Sequence, residues 1–111
     1  MPSRRFARGE HLLQVAPLFT LLEVVVLKPT GVMPYPYEVG LRTVGKTTEF
    51  RESPDFLFRP DDPLLIPYRA QMTELTRLEK LPNARNALRK CFARLAVMRR
   101  DMIEQNGRNQ A

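Results

Sequence analysis

Two hydrophobic rhythms meet in this chain, and they change over at Pro67. Before it, apolar residues come in short runs cut by prolines; after it, they recur every three or four positions. Phe19 to Lys28 is dense in leucine and β-branched side chains and is bounded by Pro17 and Pro29, which predicts a strand. Its nearly unbroken apolar run predicts burial on both faces, or a place at the centre of a small sheet. Pro29-Thr30-Gly31 reads as a turn, and Pro34 to Tyr37 as a rigid extended stretch. Residues 37–41 and 47–51 flank Val44-Gly45-Lys46 as the arms of a hairpin with Gly45 in its turn. From Glu52 to Pro67, Ser53-Pro54, Arg59-Pro60-Asp61-Asp62-Pro63 and Ile66-Pro67 predict loop, because proline cannot donate to a central strand or a helix interior.

Tyr68 to Leu81 has neither Gly nor Pro and sets Met72, Leu75 and Leu78 at helical spacing. Pro82-Asn83 interrupts it, with Asn83 the expected N-cap of a longer helix that ends near Asn106-Gly107. In that helix Ala84, Leu88, Cys91, Leu95, Met98 and Met102 step 4-3-4-3-4, one narrow apolar seam. Leu88, Cys91, Leu95, Met98 and Met102 are therefore the expected docking seam. Phe92, beside the seam, is expected to pack against a neighbour rather than to stack on a base. The expected fold is α+β: a small antiparallel sheet with a proline-rich loop, followed by two C-terminal helices. By segment, residues 1–11 are a basic N-terminal arm, 12–67 the β region with its loop, 68–106 the helical pair and 107–111 a tail.

Composition alters this picture little. At 43% hydrophobic and 27% charged the chain is in the globular range, and 111 residues make one small domain. A single cysteine excludes an intrachain disulfide and makes a reducing compartment the simplest reading. The longest apolar run, Leu21 to Leu27, is broken by Glu23 and is too short to cross a bilayer. Three arginines in the first eight residues are compatible with the remnant of a mitochondrial presequence.

Charge alters it more. The formal net charge is +6, yet residues 80–100 alone carry seven basic side chains and no acid. An ordinary solvated helix face interleaves Glu with Lys; this one does not. A concentrated single-sign field attracts a polyanion, and the planar fork of arginine suits phosphate. On a helical wheel Arg85, Arg89, Arg99 and Arg100 flank one edge of the seam, and Lys90 and Arg94 the other. The candidate RNA contacts are these six with Arg4, Arg5, Arg8 and Lys46.

Enzyme chemistry finds little footing, so no catalytic residue, metal ligand, cofactor or small-molecule substrate is expected. The one histidine, His11, falls in the basic arm and reads as solvent-exposed. Cys91 falls on the seam with no histidine near it in sequence, and reads as a small core residue. Asp61 and Asp62, flanked by prolines, read as a turn rather than an acid or metal pair. Gly40 to Thr47 has the spacing of a phosphate loop, but the next residues, Thr48 to Pro54, read as strand and loop where such a loop needs a helix.

Residues 41–92 resemble a family, the forty-second protein of the mitochondrial large ribosomal subunit. The resemblance lies in Thr43-Val44-Gly45-Lys46-Thr47, then Pro54, Pro60 and Pro63 to Pro67, then Leu75-Thr76-Arg77-Leu78-Glu79, and finally Leu88-Arg89-Lys90-Cys91-Phe92, in the family's order. Val44 stands where the family has Asp, and the family's aromatic, His-rich ending is missing. A shorter stretch, Gly40 to Glu49, is similar to part of the thirtieth protein of the large subunit, and Tyr68-Arg69 to the opening of the mitochondrial Leu-Tyr-Arg adaptors. The first resemblance implies a non-catalytic structural component in the mitochondrial matrix, bound to rRNA and to other mitochondrial ribosomal proteins, without a membrane span. The alternative is an accessory subunit of a respiratory-chain complex or ATP synthase, its seam on a protein partner and its arginines on anionic lipid.

Overall fold

The computed structural model describes residues 6–29 and 38–109. Five strands come first: β1 (His11–Ala16), β2 (Thr20–Lys28), β3 (Val39–Thr43), β4 (Glu49–Glu52) and β5 (Leu57–Phe58). Two helices follow, α1 (Leu65–Glu79) and α2 (Arg85–Asn109), so the fold is α+β with the helices C-terminal. The strands form one antiparallel sheet in the order β4-β3-β2-β1-β5. A single 3₁₀ turn, Pro54–Phe56, carries the chain from one edge strand to the other. That short crossing forces the sheet to curl. The side-chain amide of Gln14 on β1 donates to Glu52 Oε2 on β4 at 2.8 Å, although two strands lie between them in the sheet. The sheet is thus an open barrel.

Curling divides the interior in two. Phe6, Leu12, Val24, Val26, Val39, Leu41 and Leu57 fill the concave side. On the convex side Leu13, Val15 and Phe58 meet Leu65, Tyr68, Leu78, Cys91, Leu95 and Met102 of the helices. β1 borders both cores, so every residue from Leu12 to Ala16 is buried. The predicted double burial thus belongs to β1. β2 is the central strand of the order, but only Val24 and Val26 are buried on it.

Several boundaries move. The described part of the expected arm is docked, with Phe6 2% exposed and the Gly9 N–H donating to the Val26 carbonyl at 2.7 Å. Arg59 pairs with Glu10 at 2.9 Å and lies over the Phe6 ring, and His11, though exposed, opens β1. The expected loop over 52–67 holds the 3₁₀ turn, β5 and the first turn of α1. Leu57 and Phe58, paired with β1, are fully buried there because Leu57 enters the concave core and Phe58 the convex one. Pro67 is tolerated as the third residue of α1, since N–H groups of a first helical turn have no helical partner. Asp62 forms the turn leading in, its side chain accepting from the Leu64 N–H at 3.0 Å. Asn83 does not cap α2; it sits in the preceding turn with φ +58°, and α2 starts at Arg85. The supposed tail is still helical through Asn109. The expected turn at 29–31 and the extended stretch at 34–37 lie largely outside the described residues.

The hairpin stands where it was expected, with Arg42 opposite Glu49 and strand, not helix, after Gly45-Lys46-Thr47. Gly45 has φ +82°, a conformation that a β-branched residue resists. Gly45→Val is expected to lower the melting temperature by about 5–10 °C, from a cost of about 1–2 kcal/mol. Lys46→Ala, at an exposed position, should change stability by less than about 0.5 kcal/mol. Thermal unfolding of the two variants checks the order; the reverse order, or saturable ATP binding lost on Lys46→Ala, would restore the phosphate-loop reading.

A second hairpin turn is strained. Leu18 and Phe19, between β1 and β2, have φ +62° and +55°. Tight hairpins want Asn or Gly at such positions; here the left-handed backbone costs about 1–2 kcal/mol per residue. The turn holds Leu18 90% exposed and Phe19 against the helices.

Candidate nucleic-acid interface

The seam sets the orientation of α2. Cys91, Leu95 and Met102 are buried, and Leu88 and Met98 are half-buried against the same core, so all five expected docking residues face inward. The Cys91 thiol is enclosed between helices, where it accepts from Gln71 Nε2 at 3.1 Å. With the seam inward, both shoulders of the first half of α2 face solvent. Arg85, Arg89, Lys90 and Arg94 are all exposed, and none makes an ion pair among the described residues. Repeats of four place Arg85 with Arg89 on one ridge and Lys90 with Arg94 on the other. The α1 acid that feels Arg94, Glu74, is already engaged by Arg77. Glu74 is held below the usual carboxylate range first by its hydrogen bond from Arg77, with Arg94 adding a weaker field.

Of the other candidate cations, Arg99 and Arg100 are engaged within the fold, and Arg8 and Lys46 lie outside α2. Arg99 is half-buried: its Nη2 donates to the Val15 carbonyl at 3.4 Å, and its guanidinium lies 5.8 Å from the centre of the Phe56 ring. Its shoulder of α2 meets the barrel at that level, so the expected RNA contact is a packing residue. Arg99 Nε and the Tyr68 hydroxyl are both buried and lack a hydrogen-bond partner among the described residues. Burial raises the Tyr68 pKa, and the charge of Arg99 partly offsets that. Arg100 is exposed but paired with Asp101 at 3.2 Å. Arg8 precedes β1 at the end of that strand away from the Leu18-Phe19 turn, and Lys46 lies in the β3–β4 turn. Both are exposed. Arg4 and Arg5 lie outside the described residues.

Two features escaped the sequence reading. The first is Asn106, fully buried, whose Nδ2 donates to the carbonyls of Asp55 at 2.9 Å and Leu57 at 3.0 Å. It clamps the end of α2 to the 3₁₀ turn, and Gly107 next to it allows the approach, since a Cβ there would stand 3.1 Å from the Asp55 carboxylate. The signal was present: Asn106 is the next step, four residues on, of the seam that runs through Met102. Asn106→Leu should cost about 2–3 kcal/mol by stranding buried carbonyls, visible as a lower urea midpoint with an unchanged m-value. An unaltered midpoint would show that the clamp carries no net stability.

The second is a groove of about 690 Å³ where the α1–α2 turn meets the start of α2. Leu81, Ala84, Leu88 and Phe92 supply its apolar surface, with Asn83, Arg85 and Arg89 around them. Phe92 packs on Phe19, ring centres 5.9 Å apart, and remains 43% exposed. Leu81 is 46% exposed.

No family model matches the chain, and neither the curated proteins nor the solved structures include a match. Among the described residues no helix is long and apolar enough to cross a membrane, and no group of three or more His, Cys, Asp or Glu could hold a metal ion. Fold and surface together define an open β-barrel carrying a helical hairpin whose second helix is cationic.

Proposed function

We propose that this chain is a non-catalytic RNA-binding protein, a structural component of the mitochondrial large ribosomal subunit, with α2 as the element that holds rRNA. One observation carries the RNA reading: Arg85, Arg89, Lys90 and Arg94 crowd three turns of one helix, exposed and, among the described residues, without an ion pair. Cations left unneutralised by their own protein are available to phosphate. The ribosomal setting rests on the family resemblance of residues 41–92. The barrel anchors the helix from behind through the seam, which fixes the spacing of the cations.

Four phosphate contacts to single-stranded RNA predict a slope of about −3 in log affinity against log salt, or about a fiftyfold loss between 50 and 200 mM. Fluorescence anisotropy with a labelled rRNA fragment measures it, and co-sedimentation of the tagged chain from mitochondrial extract tests the setting. A flat salt response removes the RNA reading. Recovery with a respiratory-chain complex or ATP synthase instead of ribosomal particles transfers the chain to the accessory-subunit class.

A further inference from the structure

We propose that the groove at the start of α2 takes one unpaired base of the bound RNA, stacked on Phe92, while the adjoining phosphates lie on Arg85 and Arg89. The proposal rests on the RNA-binding reading and specifies what kind of RNA is bound. A surface built for backbone alone needs charge and no apolar floor. Here Leu81, 46% exposed, and Phe92, 43% exposed, line the same groove as two of the four free cations. The ring of Phe92 is prepared for stacking: Phe19 supports it at 5.9 Å and leaves it partly open to solvent. Phe19 is kept there by a turn whose two central residues are both left-handed and neither of which is glycine. Persistent strain of that kind clusters at binding sites. Asn83, itself left-handed at φ +58°, adds an amide that both donates and accepts, the chemistry that reads a base edge.

Duplex RNA hides its bases in a deep, narrow groove, so an aromatic surface among phosphate-binding arginines is of use only to a single strand, loop or bulge. An acidic amphipathic helix would meet the same charges, but it needs apolar anchors along several turns. The floor here offers Leu81, Ala84, Leu88 and Phe92, clustered at one end of α2.

The test compares a single-stranded RNA carrying 2-aminopurine with a duplex of the same length, using the full chain, Phe92→Leu and Leu81→Gln. Phe92→Leu keeps an apolar side chain against Phe19, and Leu81 lies outside both helices, so the two variants do not share a folding risk. The wild-type chain is expected to prefer the single strand and to quench the 2-aminopurine. Phe92→Leu should remove the quenching and weaken single-strand binding about tenfold, with duplex binding and the salt slope unchanged. Leu81→Gln should weaken the single strand by a smaller factor at an unchanged melting temperature. Equal affinity for both forms, or no effect of Phe92→Leu, overturns the base pocket and leaves the RNA reading standing. Failure to bind any RNA overturns both. Capture of an acidic peptide instead of RNA, lost on Phe92→Leu, assigns the groove to a protein partner and overturns the proposal.

Discussion

Replacing Arg85, Arg89 and Arg94 together by glutamate is expected to weaken RNA binding by at least about a hundredfold at 0.1 M salt. Each phosphate contact with a single strand contributes a factor of about five at that salt, so three multiply to about a hundred before repulsion by the new carboxylates is added. The salt slope should flatten from about −3 to about −1, because three of the four counterion-releasing contacts are gone. The gap between variant and wild type must therefore narrow as salt rises. Folding should be unaffected, since all three side chains are exposed and make no ion pair among the described residues. Circular dichroism and thermal unfolding provide that control. An unaltered slope in a folded triple variant would show that the cations are a solvated face. Arg99→Gln is the contrasting case: Arg99 donates to the Val15 carbonyl inside the fold, so its loss should lower stability more than RNA affinity.

Leu95→Asp carries the largest expected effect on folding. Leu95 is fully buried in the core shared by α1, α2, β1 and β5. An unpaired carboxylate there loses its hydration and also forfeits the packing of leucine, several kcal/mol in all. Small domains hold about 5–15 kcal/mol of stability, so the variant should lose cooperative unfolding or be largely unfolded at 37 °C. Leu95→Ala, which creates a cavity without burying charge, should cost about 2–5 kcal/mol. Ala96→Asp, one position along on the exposed side, should be nearly neutral. Urea unfolding of the three variants separates a buried seam from a merely helical one. A tolerated Leu95→Asp would mean that α2 docks by another face.

The elements legible in the sequence are those whose signal is local. The seam from Leu88 to Met102 repeats within one helix, where residues three and four apart share a face whatever packs against them. The β3–β4 hairpin likewise rests on Gly45 and its flanking strands. β1 and β5 carried no such signal. His11–Ala16 does not alternate because both of its faces are covered, and Leu57–Phe58 is only two residues long. β5 pairs only with β1, more than forty positions earlier, and β1 turns into β2 through Leu18 and Phe19, which are not turn-forming residues.

The candidate site divides along the same line. The acid-free run from Lys80 to Arg100 identified α2 as the cationic element, and its periodicity placed arginines on both shoulders. By itself, then, the sequence determined which helix carries the charge and which face of it is buried, because both come from composition and a 3.6-residue repeat. Which arginines meet solvent was decided only when the barrel packed against one shoulder, drawing Arg99 inward beneath Val15 and Phe56 while Arg85 and Arg89 stayed free. The same packing brought Phe19 from a strained turn onto Phe92 and set the end of α2 on the 3₁₀ turn through Asn106. Those contacts join residues more than forty positions apart, and only the closing of the chain on itself puts them within reach of one another.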